Sequence, residues 1–101
     1  MIVLLSPAQP PVLTDVDRLD RLHAESPGPL TSMTGGPLCR FDDDGDHVWL
    51  DIAAARAAGA AAIHREAWTA DFDAMVAYAT SKGWTDAAGT HLRAHVERTD
   101  G

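Results

Sequence analysis

The sequence predicts a small α+β domain on the basis of three observations. A short apolar run opens the chain, an aspartate- and glycine-rich turn separates two extended segments near the middle, and an amphipathic helical pattern follows. Apolar runs and strict alternation are typical of strands, whereas an apolar stripe recurring every three or four residues is typical of a helix. We therefore expect a single α+β domain, residues 1–101, with a small sheet and two main helices.

The first apolar run ends at Ser6-Pro7, which predicts a strand over residues 1–6. Thr14 is a candidate N-cap for the segment that follows. Three apolar residues then recur with a period of three, namely Val16, Leu19 and Leu22. This pattern predicts a helix over residues 15–25, with His23 and Glu25 at its end, where a cationic imidazole would cap the last turn.

The strongest hairpin signal lies between residues 37–41 and 47–52. The intervening Asp42-Asp43-Asp44-Gly45-Asp46 is rich in turn formers, and Gly45 supplies the positive φ that such a loop needs. Alternation along the second arm predicts two faces. One face carries Val48, Leu50 and Ile52, and the other carries His47, Trp49 and Asp51.

Two helices and one strand are predicted in the remaining sequence. An alanine-dense stretch predicts a short helix over residues 52–61, which Gly59 weakens. Thr69 is a candidate N-cap for a helix over residues 70–82, which carries one apolar stripe. Residues 90–97 alternate between apolar and polar side chains, which predicts a strand.

The predicted order is strand, helix, strand, strand, helix, strand, with the alanine-rich helix as an extra element. This is the element order of the ferredoxin-like split βαβ arrangement. We therefore expect a sheet of four short strands packed against two main helices.

Composition excludes several classes of function. The net charge of −7 and the absence of a basic cluster argue against direct binding to nucleic acid. A lone cysteine, Cys39, fits a reducing compartment and is expected to be a buried, inert thiol. The apolar opening is too short for a signal peptide or a membrane span, so we expect a cytoplasmic protein that does not contact membranes. The alanine-rich core is modest, which favours a homo-oligomer or a larger protein partner.

The most promising surface is the polar face of the predicted strand 90–97. If the sheet curves, the side chains of this strand and of the hairpin could share a pocket, and a histidine near a carboxylate is the usual general base. The candidate catalytic residues are His91, His95, His47 and Asp51. The candidate binding residues are Trp49, Arg93, Glu97 and Trp68.

No metal site or cofactor is predicted. His91 and His95 would chelate one ion from a helix, but on a strand they stand about 13 Å apart. Residues 42–46 fail the calcium-loop pattern, because Arg40 occupies its first position and Asp51 its twelfth. Gly35-Gly36 lacks the lysine of a phosphate-binding loop.

Three functional hypotheses remain. The leading one is a non-catalytic interaction or assembly protein that acts through the sheet face bearing Trp49 and the strand 90–97. The second is a small cofactor-independent enzyme that uses histidine acid/base chemistry. The third is an acidic decoy that occupies a basic nucleic-acid-binding partner.

Overall fold

Residues 1–99 of the chain are described by a computed structural model, in which they form six strands, two α-helices and a single 3₁₀ turn. In chain order the elements are β1 (Ile2–Leu4), β2 (Val12–Thr14), β3 (His23–Ser26), β4 (Cys39–Phe41), β5 (His47–Asp51), α1 (Ile52–Ala62), α2 (Trp68–Ser81) and β6 (His91–Arg98). The 3₁₀ turn, Leu30–Ser32, lies between β3 and β4. The protein is thus a small α+β protein, as the sequence predicts.

The six strands form one mixed sheet in the order β2-β1-β3-β6-β5-β4. The pairs β1–β3 and β3–β6 are parallel, and the other three pairs are antiparallel. The sheet curls into a half-barrel. Strand β6 joins the two halves of the sheet, because it pairs with β3 along one edge and with β5 along the other.

Both helices pack on the same side of the sheet and share its core. Trp68 and Phe72 of α2 are fully buried, and their rings stack with centroids 5.2 Å apart. The indole N–H of Trp68 donates a hydrogen bond of 2.8 Å to the backbone carbonyl of Val16. Every second residue of the central strands is buried against these side chains, including Val3, Ala24, Val48, Leu50, Leu92, Ala94 and Val96.

Most predicted elements are confirmed within small shifts of their ends. The hairpin is present, with Cys39 opposite Leu50 and Phe41 opposite Val48. Both C-terminal helices and the strand after them form, and the opening strand is shorter than predicted. Gly45 has the predicted positive φ, at 74°. Local patterns therefore predict these elements well.

The predicted helix over residues 15–25 is wrong. Asp15 has a positive φ of 49°, and the backbone then makes consecutive turns, with N–H groups of Arg18 and Arg21 bonded to the carbonyls of Asp15 and Arg18. The carbonyls of Arg18 and Arg21 accept hydrogen bonds from the α-amino group of Met1. Successive turns place an apolar residue inward at every third position, so they imitate a helical period without forming a helix.

The ferredoxin-like order is therefore not confirmed. That arrangement requires a helix between its first two strands, and among residues 1–99 both α-helices instead lie between β5 and β6. Neither of the helices in this part of the chain has the length and apolar character needed to cross a membrane.

Candidate functional site

The side of the sheet away from the helices carries a row of polar side chains, which we call the outer face. Alternation along the strands sends their apolar neighbours into the core, so these side chains point the other way. Among residues 1–99 the outer face comprises His23 and Glu25 of β3, Arg40 of β4, His47, Trp49 and Asp51 of β5, and His91, Arg93, His95 and Glu97 of β6. It thus includes seven of the eight residues that the sequence predicts for a site.

The register of β5 and β6 decides which of these side chains meet. Asp51 lies opposite His91, whereas His47 lies opposite His95 at the other end of the pair. Four residues of strand separate the two ends by about 13 Å. The four predicted catalytic residues therefore form two separate pairs rather than one cluster.

His91 is held between two carboxylates. Its Nδ1 lies 3.2 Å from Oδ2 of Asp86, and its Nε2 lies 3.6 Å from Oδ2 of Asp51. The hydroxyl of Thr90 is 2.8 Å from Nδ1. A carboxylate beside an imidazole orients the ring. This is the arrangement that acid/base chemistry needs, with Asp86 as a partner that the sequence did not suggest.

Asp86 is fixed by the turn that precedes β6. Its Oδ1 accepts hydrogen bonds from the backbone N–H groups of Thr90 (2.8 Å) and His91 (3.1 Å). Partial burial acts to raise the pKa of Asp86, but these hydrogen bonds favour the ionised form and hold the pKa below its ordinary value. Asp86 is therefore a fixed negative charge beside His91 at neutral pH.

Asp51 has two roles. Its Oδ1 accepts a hydrogen bond of 2.8 Å from the backbone N–H of Ala54 and so caps the first turn of α1. Its Oδ2 faces His91. The outer face is thereby tied to the start of a core helix through one side chain.

Trp49 lies between two arginines on neighbouring strands. The guanidinium carbons of Arg40 and Arg93 are 5.5 and 5.9 Å from its ring centroid, within cation–π range. Arg93 is itself held by Asp42 and Asp44 of the hairpin loop, at 3.3 and 2.9 Å. The half-buried indole is thus fixed in place at the middle of the outer face.

His47 and His95 form the other of the two pairs. Their rings meet edge to face, with centroids 5.5 Å apart. Nδ1 of His47 is 2.7 Å from Oδ2 of Asp44. The pKa of Asp44 is held below its ordinary value, chiefly because its carboxylate accepts a hydrogen bond from the backbone N–H of Asp46. The acidic loop is thus hydrogen-bonded to itself and to the outer face.

A further cluster joins β3 to β6, and the sequence did not suggest it. His23 and Glu25 project from β3 beside Glu97, with Nε2 of His23 at 3.0 Å from Oε2 of Glu25 and 3.6 Å from Oε2 of Glu97. Because residues 15–25 are not helical, the predicted capping role of His23 and Glu25 does not apply. The alternation of residues 23–26 between half-buried and buried is the pattern of a strand, and it is visible in the sequence as polar and small residues in turn.

The other two tryptophans lie outside the strands of the outer face. Trp68, which the sequence suggests as a binding residue, is fully buried in the core. Trp84 is 51% exposed and meets Tyr78 edge to face. Tyr78 and Trp84 border an apolar pocket of about 230 Å³ between α2 and the turns over residues 19–22. His47, Asp51, His91 and His95 line none of the four main pockets of residues 1–99.

Cys39 lies where the sequence places it, buried in a strand of the hairpin. Burial raises the pKa of its thiol to about 11, because a thiolate is poorly solvated in apolar surroundings. Burial and the raised pKa both disfavour the thiolate that a nucleophilic cysteine needs.

Comparisons with protein-family models, curated proteins and solved structures found no match to this chain. The outer face offers a fixed tryptophan, three carboxylate-bound histidines and an excess of negative charge.

Proposed function

We propose that this protein is a non-catalytic interaction protein whose outer face binds a basic surface of a protein partner. The observation that supports this most directly is Trp49, half-buried between Arg40 and Arg93 at the centre of a sheet face that no helix of residues 1–99 covers. Tryptophan is enriched among the residues that dominate binding energy at protein interfaces.

The fixed position of Trp49 adds to this argument. Both arginines lie beside its ring, and Arg93 is anchored by Asp42 and Asp44. An anchor that is already held in one orientation loses little side-chain entropy on binding. Trp49 is thus suited to be the central contact of an interface.

The charge of the outer face favours a different partner over a second copy of the chain. The outer face and the side chains that contact it contain two arginines, Arg40 and Arg93, and six carboxylates, Glu25, Asp42, Asp44, Asp51, Asp86 and Glu97. Two such faces would repel each other, because like charges opposed across an interface cost binding energy. A partner surface rich in lysine and arginine would instead be attracted.

The test uses affinity capture from cell extract followed by titration with the purified partner. Trp49→Ala is compared with Tyr78→Ala, which removes an exposed aromatic side chain from α2. We expect a basic partner that binds the unmodified protein and Tyr78→Ala equally, and Trp49→Ala at least about 30-fold more weakly, the loss expected at a binding hot spot. Binding should also weaken as NaCl rises from about 50 to 500 mM.

Two results would contradict the proposal. One is a captured partner that binds Trp49→Ala as tightly as the unmodified protein. The other is a homodimer, seen by light scattering, that Trp49→Ala dissociates, since the occupant of the outer face would then be a second copy. The decoy hypothesis is tested by adding nucleic acid to the complex. If the protein is a decoy, nucleic acid should compete with it for the purified partner.

Histidine acid/base catalysis is the second candidate, favoured by the position of His91 between Asp51 and Asp86. It ranks below binding because a substrate needs a cavity, and His91 lines none of the main pockets of residues 1–99. A turnover that is lost in His91→Gln and kept in His64→Gln, a change in the exposed connector before α2, would favour the enzyme.

A further inference from the structure

The parallel pairing of β3 and β6 brings three metal-ligating side chains together. Glu25 lies directly opposite Glu97, and His23 precedes Glu25 by two residues on the same face of β3. The imidazole of His23 lies beside both carboxylates, so that Nε2 and one oxygen of each glutamate are all within 4.8 Å of one another.

The distances within this cluster match those around a bound ion. Zinc binds nitrogen and carboxylate oxygen at about 2.0–2.2 Å in tetrahedral geometry, which places neighbouring ligand atoms about 3.3–3.5 Å apart. Nε2 of His23 is 3.0 Å from Oε2 of Glu25 and 3.6 Å from Oε2 of Glu97. These two distances bracket the spacing expected around a zinc ion, and the two carboxylate oxygens lie within 4.8 Å of each other.

Charge gives a second, independent reason. Among residues 1–99, neither Glu25 nor Glu97 has a lysine or arginine as an ion-pair partner, and the basic group that pairs with both is the imidazole of His23. Two carboxylates this close repel each other. A neutral imidazole leaves both negative charges uncompensated and an imidazolium cancels one, whereas a divalent cation cancels both.

We propose that His23, Glu25 and Glu97 bind one divalent transition-metal ion, with Zn²⁺ as the ion that best fits the ligands. An imidazole nitrogen favours zinc and its neighbours over calcium and magnesium, which prefer oxygen ligands. Three protein ligands leave a fourth position open, as in zinc sites that bind an exchangeable ligand. That position is accessible to solvent, because the Glu97 side chain is 59% exposed.

The test is isothermal titration of the tag-free, chelator-treated protein with Zn²⁺. We expect one ion per chain and a loss of affinity of at least about tenfold in Glu97→Gln and in His23→Gln, since even residues that only support a ligand contribute 10–100-fold. His95→Gln, which removes a histidine two residues from Glu97 on the same strand face, is the matched control and should bind as the unmodified protein does.

Thermal unfolding gives a second measurement that does not depend on titration heats. Zn²⁺ should raise the Tm of the unmodified protein and of His95→Gln, because a ligand of the native state stabilises it, and should leave the Tm of Glu97→Gln unchanged. Glu97 is exposed, so this variant is expected to fold. An unchanged Tm in the unmodified protein, or zinc binding that is retained in Glu97→Gln and lost in His95→Gln, would overturn the proposal and leave an ion pair only.

Discussion

The indole ring of Trp68 lies against the backbone of Gly59, so that a Cβ atom at position 59 would be only 2.0 Å from Cη2 of the ring. Trp68 is fully buried, and its N–H is bonded to the carbonyl of Val16. The ring therefore cannot easily move aside. A glycine that lowers the helix propensity of α1 thus allows α1 and α2 to pack closely.

We predict that Gly59→Ala lowers the free energy of unfolding. Alanine gains about 1 kcal/mol in helix propensity over glycine. Overpacking a filled core typically costs about 1–3 kcal/mol, and a contact this short with a fixed ring falls at the upper end of that range. Urea unfolding followed by circular dichroism measures the difference.

The control for this prediction is Ala57→Gly, at an exposed position of the same helix. It should lose about 1 kcal/mol from helix propensity alone. A Gly59→Ala protein that is more stable than the unmodified one would show that the indole ring moves without cost.

The capping role of Asp51 can be separated from its charge. We predict that Asp51→Ala lowers the free energy of unfolding by about 1 kcal/mol, because the N–H of Ala54 loses its acceptor. Asp51→Asn keeps an acceptor oxygen, and asparagine caps helices as well as aspartate does, so it should stay close to the unmodified protein. Equal losses in both variants, measured by urea unfolding, would instead assign the stabilisation to the charge opposite His91.

The turn before β6 predicts a pH dependence of stability. The pKa of Asp86 in the native state lies below its ordinary value of 3.8, so its ionised form stabilises the fold above that pH. This stabilisation is lost as the pH falls from about 4 through the lower native pKa. Asp86→Asn keeps an acceptor oxygen but cannot ionise.

We therefore expect the unmodified protein to be more stable than Asp86→Asn at pH 7, with the difference shrinking as the pH falls below about 4. Urea unfolding at a series of pH values measures both curves. Curves that stay parallel over this range would show that the charge of Asp86 does not stabilise the native state.

Cys39 is predicted to be protected from thiol reagents by folding. A native pKa of about 11 in place of 9.0 lowers the thiolate fraction near neutral pH by about 100-fold, before any steric effect of burial. Reaction with a chromogenic disulfide at pH 8 should therefore be at least about 100-fold slower in the native protein than in urea. Rates within tenfold of each other would point to local opening of the hairpin.

The sequence predicts those parts of the fold that depend on local pattern. The hairpin around Gly45 and the two helices on either side of residues 63–67 follow from turn chemistry, alanine content and periodicity. The predicted N-cap Thr69 is wrong, because α2 begins one residue before it, at Trp68, with Ala67 as its N-cap. The alternation within β5 and within β6 likewise predicts which side chains of each strand lie together. In the structure the two strands pair, and their polar sides lie on the outer face.

Other features depend on contacts between distant segments, and no local pattern carries them. The α-amino group of Met1 occupies carbonyls that a helix over residues 15–25 would have used, and the spacing of Val16, Leu19 and Leu22 is the same in either case. The position of Trp68 depends on the glycine that faces it in α1.

The candidate sites illustrate the same limit. Asp86 reaches His91 only because the turn before β6 folds back on that strand, and His23 meets Glu97 only because β3 pairs with β6 across some 70 residues of sequence. A strand assignment for residues 23–26 would have placed His23 and Glu25 on one face. Their partner on β6 could not be found from spacing.

The position of β6 also sets the order in which the protein can assemble during synthesis. Strands β2, β1 and β3 form one part of the sheet, β5 and β4 form another, and among residues 1–99 only β6 pairs with both. On the ribosome the sheet cannot be completed until β6 has been made, because no other strand of this part of the chain bridges the two. The β3–β6 junction, with His23, Glu25 and Glu97, is therefore assembled after the other five strands have been made. Release of the chain before β6 is made would leave the edges of β3 and β5 unpaired and exposed to aggregation.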